Sequence, residues 1–270
     1  MQKLTQLAYA IGIVCSLTIW IGLAQMVAIA KQQQIYNTTA IPLNSPDWFY
    51  EGDQSAANLG FSVSGSGDVN GDGYDDVLVS ATKYSSDSHK AGAVFAFFGS
   101  VGGLPDKPTW MFSGDESGID LGFSVAHAGD VNGDGFDDVI IGAPRYNGGE
   151  PREGRVYGFY GSADGLADTP DWSVESDLPE AHLGWAVSSA GDVNSDGFDD
   201  VIIGAQWTED AYSSEGMARV YLGGEAGLAD LPAWTVYGGQ AGASLGTAVS
   251  NAGDINNDGY DDVLVGAPLY

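Results

Sequence analysis

Basic residues and cysteine are both scarce in this chain. Nine lysines and arginines face 37 aspartates and glutamates, giving a formal net charge of −28. That balance excludes nucleic-acid binding, which rests on a basic surface. The one cysteine, Cys15, lies in an apolar N-terminal stretch, so no disulfide framework holds the rest together. Histidine is scarce too. His89, His127 and His182 stand at non-equivalent positions, as lone turn or strand-end residues expected to face solvent. No nucleophile–base signature accompanies them, so no catalytic residue is assigned and the chain is read as a non-enzyme. A sustained helical period is also missing from the repeating region.

What the sequence does have is repetition. DVNGDGYDDV starts at Asp68, DVNGDGFDDV at Asp130, DVNSDGFDDV at Asp192 and DINNDGYDDV at Asp254, each 62 residues after the last. Calcium is a hard cation that takes about six to eight oxygen ligands, often from alternate residues of an acidic loop. The first loop offers Asp68, Asn70, Asp72 and Asp76, with Tyr74 at the position that usually gives a backbone carbonyl. The second offers Asp130, Asn132, Asp134, Phe136 and Asp138. The third has Asp192, Asn194, Asp196, Phe198 and Asp200; the fourth has Asp254, Asn256, Asp258, Tyr260 and Asp262. The bland alternative is a turn that caps a hairpin and binds nothing. Against it, three carboxylates in one loop repel one another by roughly 1 kcal/mol per pair even in water. Calcium is therefore the expected cofactor.

An EF-hand needs a bidentate glutamate at loop position twelve and flanking helices. Here that position holds Val79, Ile141, Ile203 or Val265, inside β-branched runs that read as buried strands. Each loop is expected to join two strands. The period extends to Trp48, Trp110, Trp172 and Trp234, and to Leu59-Gly60, Leu121-Gly122, Leu183-Gly184 and Leu245-Gly246. It also covers Gly103-Leu104, Gly165-Leu166 and Gly227-Leu228. In the first unit the pattern predicts strands near 61–69, 77–81, 93–98 and 109–113. Four short strands per repeat describe a propeller blade. The chain is read as all-β, with blades at about 59–114, 121–176 and 183–238 and a partial one at 245–270. A further strand is expected around Trp48-Phe49-Tyr50, ahead of the first unit.

Leu-Gly-Phe-Ser before the loop and Gly-Ala-Pro after it (Gly142-Ala143-Pro144, Gly266-Ala267-Pro268) resemble the FG-GAP repeat of the integrin α-subunit β-propeller. The resemblance covers about residues 45–270. The phenylalanine becomes Trp185 and Thr247, and the last proline becomes Thr82 and Gln206. It implies a seven-bladed propeller with calcium in the loops and a role in adhesion or extracellular recognition. Three complete blades and one partial blade do not close such a ring, so the chain is expected to be part of a longer protein. Two other functions remain open: an accessory propeller of a secreted hydrolase whose catalytic domain lies elsewhere, and a structural surface protein.

Residues 1–30 read as a secretory signal peptide ending at Ala28-Ile29-Ala30, with an uncleaved membrane anchor as the alternative. Residues 31–44 read as a linker, and Asn37-Thr38-Thr39 as a glycosylation sequon. Both N-terminal readings deliver the repeats outside the cytoplasm, as a secreted or cell-surface protein. Successive hairpin turns alternate ends, so the calcium loops and Gly-Leu turns share one end of each blade. The other end carries the divergent turns 82–91, 144–153 and 206–215, with Lys83, Lys90, Arg145, Arg152, Tyr84, Tyr146, Trp207 and Tyr212. Loops on a rigid scaffold often carry recognition, which makes this end the candidate face for a protein or glycan ligand. The alternative is that solvated loops simply vary; no specific ligand contact is assigned, and Arg145 with Tyr146 is the pair whose replacement tests the face.

Overall fold

The computed structural model describes residues 48–86 and 89–270. The signal segment, the linker and the sequon lie outside the described residues. Residues 50–270 form one unit. Among the described residues, no helix is long and apolar enough to cross a membrane.

The unit is all-β. The first sheet is β1 (Leu59–Gly67), β2 (Asp76–Ala81), β3 (Ala93–Phe97) and β4 (Trp110–Ser113). The second is β5 (Ser124–Gly129), β6 (Asp138–Ala143), β7 (Arg155–Phe159) and β8 (Trp172–Glu175). The third is β9 (Ala186–Gly191), β10 (Asp200–Ala205), β11 (Met217–Tyr221) and β12 (Trp234–Tyr237), and the last pair is β13 (Ala248–Gly253) and β14 (Asp262–Gly266). Each four-stranded sheet is an antiparallel meander in chain order, and β13–β14 make a two-stranded sheet. These are three full propeller blades and one partial blade. The strand expected around Trp48-Phe49-Tyr50 is not formed among the described residues. Tyr50 instead packs its ring on Phe95 and Phe97, at 6.2 and 4.9 Å between centroids.

The second strands are apolar on both faces. Val139-Ile140-Ile141 and Val201-Ile202-Ile203 are fully buried. Both faces are covered because the core lies between blades. One cluster joins Leu78, Val94 and Trp110 of blade 1 to Leu121, Val139, Ile141 and Phe159 of blade 2. A second joins Trp172 and Val156 to Leu183, Ile203 and Tyr221. The Leu-Gly pair seals each junction. Leu121, Leu183 and Leu245 donate their N–H groups to the carbonyls of Ala91, Glu153 and Glu215 in the preceding blade, at 2.9–3.0 Å. Gly184 follows with φ 86, and a Cβ there would press within 3.0 Å of the Gly142 backbone. Only glycine takes that conformation in that space without strain.

Candidate functional site: four acidic loops and a divergent face

Every loop comes after a register shift in its hairpin. The shift falls before the pairs Gly67–Asp76, Gly129–Asp138, Gly191–Asp200 and Gly253–Asp262. Such a bulge bends the strand and re-aims the side chains beyond it. The first aspartate then accepts backbone N–H groups from its own loop. Asp68 Oδ1 takes Asp72 N at 3.0 Å, and Oδ2 takes Gly73 N at 2.8 Å. Asp130 takes Asp134 N and Gly135 N at 3.1 and 2.9 Å. The same pair of bonds recurs at Asp192 and at Asp254. Asn70, Asn132 and Asn194 turn Oδ1 to the N–H two residues on, at 2.9–3.0 Å. Asp72, Asp134, Asp196 and Asp258 each accept from the aromatic residue after the glycine, at 3.0–3.1 Å.

The last aspartate of each set is built differently. Asp138 is buried, with Val131 N and Gly161 N on its two oxygens, both at 2.8 Å. Burial pushes its pKa up to about 7; the two N–H bonds pull back, and the Asp134 and Asp130 carboxylates push further up. Burial likewise lifts Asp76 and Asp200 to about 6. All the donors are carboxylate or amide oxygens held by a folded backbone, and their mutual repulsion favours a cation. The donor chemistry of all four loops therefore fits calcium.

Sequence reasoning missed the eighth loop position. Asp137 Oδ2 accepts Asp68 N at 2.7 Å, and Asp137 N returns to Asp68 O at 3.3 Å. Asp199 and Asp261 make the same reciprocal pair with Asp130 and Asp192. A Cβ on Gly67 or Gly129 would collide with these carboxylates. Phe136 lies over Gly71 of the preceding loop, and Phe198 over Gly133. The loops are thus stitched blade to blade. The doubled aspartate in each motif was the available signal, but spacing alone does not show that its two members face different blades.

Packing at the opposite end settles three points, one of them against expectation. The guanidinium over Tyr146 belongs to Arg155, at 3.9 Å, not to its neighbour Arg145. Arg145 pairs with Asp120 at 2.8 Å and, with Gly118, Asn147 and Arg152, lines a cavity of about 300 Å³. His182 does not face solvent. It is fully buried against Trp207, at 4.6 Å, with burial holding its pKa below the ordinary value. His127 reaches Asp137 at 2.9 Å and His89 is exposed. Thirdly, Glu153 and Glu215, which close two of the divergent turns, are buried. Glu153, Glu175 and Asp177 bring oxygens within 4.8 Å of one another, a spacing that a metal ion can share.

The profile of the FG-GAP repeat matches residues 59–97, 121–159, 183–215 and 245–270. Integrin alpha-4 of Xenopus laevis is 31% identical over 241 residues, covering 87% of this chain and 22% of that protein. Integrin alpha-5 of Xenopus laevis is 30% identical over 219 residues, 77% of this chain and 20% of the relative. Integrin alpha-3 of Cricetulus griseus is 34% identical over 161 residues, 57% of this chain and 15% of the relative. The chain spans about a fifth of the length of these relatives, or less.

Proposed function

We propose, from the premise that this chain belongs to the FG-GAP repeat family and is integrin-α-like, that it is a calcium-stabilised extracellular recognition or adhesion module. The observation that carries this reading is the fourfold recurrence of one oxygen-donor loop. Its carboxylates are already held by backbone N–H groups, and in the first three copies they crowd a buried aspartate. Asp68, Asn70, Asp72 and Asp76, and their equivalents from Asp130, Asp192 and Asp254, would hold the ions, with the carbonyls of Tyr74, Phe136, Phe198 and Tyr260. The ion would supply charge neutralisation and lock the loops that join one blade to the next.

The compartment fits the metal. Extracellular modules bind calcium with dissociation constants of about 0.1–1 mM. At roughly 1 mM calcium, mass action contributes about 0.4–1.4 kcal/mol per site. A secretory segment over residues 1–30 would deliver the repeats there, and a longer protein would complete a seven-bladed ring. The divergent turns would then meet an extracellular protein or glycan. The test immobilises the chain and measures cell and glycan adhesion in calcium and in chelator. Adhesion that needs calcium, and is lost when turns 144–153 and 206–215 are replaced together, supports the reading. Adhesion unchanged by both treatments contradicts it.

A further inference from the structure

Blade 2 and blade 3 contain the same turn, satisfied in two different ways. In blade 3, Glu215 Oε1 accepts the N–H groups of Asp210, Ala211 and Tyr212, at 2.8–3.2 Å. Its Oε2 accepts Gly239 N at 3.0 Å, so both oxygens are used. In blade 2, Glu153 Oε1 accepts Gly148, Gly149 and Glu150 in the same way, at 2.6–3.2 Å. Its Oε2 is buried and has no hydrogen-bond partner. A buried carboxylate oxygen left unpaired is costly.

The neighbours differ just as sharply. Blade 3 has Tyr237 and Gly239 where blade 2, 62 residues earlier, has Glu175 and Asp177. The open oxygen and the extra carboxylates thus occur together, in one blade. Two guanidinium groups stand beside the three carboxylates: Arg155 Nε donates to Glu175 Oε1 at 2.9 Å, and Arg219 Nη2 donates to the Ser176 carbonyl at 3.4 Å. The space around them is tight, since a Cβ on Gly148 would collide with Glu175 Oε2, Glu153 Oε1 and the Tyr146 ring. Asp177 is exposed and opens the group to solvent.

We propose that Glu153, Glu175 and Asp177 form a binding site for a hard divalent cation at the divergent-turn end of blade 2, separate from the four acidic loops. Glu153 gives its unpaired Oε2, while three backbone N–H groups on Oε1 hold the carboxylate in place. Glu175 gives the oxygen that Arg155 leaves free. Asp177 and water complete an all-oxygen set, the chemistry that calcium and magnesium take. The ion would pin the turn after β6 to the end of β8.

The test is calorimetric titration of calcium into the chelator-stripped full chain. The double variant Glu175→Gln with Asp177→Asn should bind one ion fewer than the unmodified chain. Gly148→Ala, at an exposed turn position that keeps all three carboxylates, should weaken the same site at least tenfold. Asp134→Ala should remove a different ion, so its loss adds to that of the double variant. If the loops bind nothing, one ion should remain in the unmodified chain and vanish in the double variant, which separates this proposal from the loop reading. Melting in chelator checks folding, and Gly148→Ala decides the matter if the double variant does not fold. Unchanged ion count and affinity in the variants would overturn the proposal and leave Glu153 satisfied by water or a proton.

Discussion

The two ends of each blade are built by opposite rules. At the loop end, every copy makes the same bonds: Asp68, Asp130, Asp192 and Asp254 each accept two N–H groups of their own loop. At the turn end, the copies diverge. Equivalent positions hold Ala91, Glu153 and Glu215, and the two glutamates are satisfied differently. Repetition marks what joins one blade to the next, because every junction must solve the same packing problem. Divergence marks side chains that the junction does not constrain, since the seal uses only the backbone carbonyls of Ala91, Glu153 and Glu215, and these side chains are free to serve recognition.

The largest expected contrast is between two tryptophans. Trp172, at the loop end, is 6% exposed; it packs edge-on to Tyr221 and donates Nε1 to Ala229 O of the next blade at 3.2 Å. Trp172→Ala should cost about 3–5 kcal/mol. Trp207, at the turn end, is 40% exposed, and Trp207→Ala should cost about 1–2 kcal/mol. Urea unfolding midpoints at fixed calcium measure both. Equal losses would break the comparison.

Metal gives the next contrast. Asp134→Ala should lower stability by about 0.4–1.4 kcal/mol in roughly 1 mM calcium, through loss of one site. That loss should vanish in chelator. An identical loss in both conditions would reduce the loop to a turn cap.

Acid should act on the turn end. The folded pKa of His182 is held below its ordinary 6.5 by burial, with Glu180 raising it and Arg145 and Arg152 lowering it further. The unfolded chain therefore takes up this proton first. The stability held by neutral His182 is present above pH 6.5 and is lost as pH falls from there towards the folded pKa. His182→Asn suits the residue's positive φ of 59 and should remove that part of the slope between pH 7.5 and 5 in melting experiments. Matching slopes would show that His182 carries no linkage.

The smallest effect belongs to the exposed pair Arg152–Glu180, at 3.4 Å. Arg152→Ala should change stability by less than about 1 kcal/mol, and less again in high salt. A larger loss would make this surface part of the scaffold.

The strands and loops were legible because they repeat. The Asp-x-Asn-x-Asp-Gly spacing and the β-branched run after it define a hairpin through neighbouring residues alone. What stayed hidden depends on contacts between distant residues. Asp137 reaches back 69 positions to Asp68, a link that period alone does not reveal. Burial of His182 comes from Trp207, and Arg155 rather than Arg145 covers Tyr146. Local pattern put Arg145, Tyr146 and Trp207 in the divergent turns, but their partners are fixed only by packing. Glu153 and Glu215 read as polar loop residues because nothing local shows a carboxylate turned inward to cap its own turn.

Calcium binding to the loops is the claim on which the rest stands, and calorimetric titration of the chelator-stripped chain tests it most directly. The account predicts saturable binding in the range of about 0.1–1 mM, with one ion lost on Asp134→Ala. An unmodified chain that takes up no calcium at millimolar concentration, or an Asp134→Ala chain that takes up as much as the unmodified one, would contradict it.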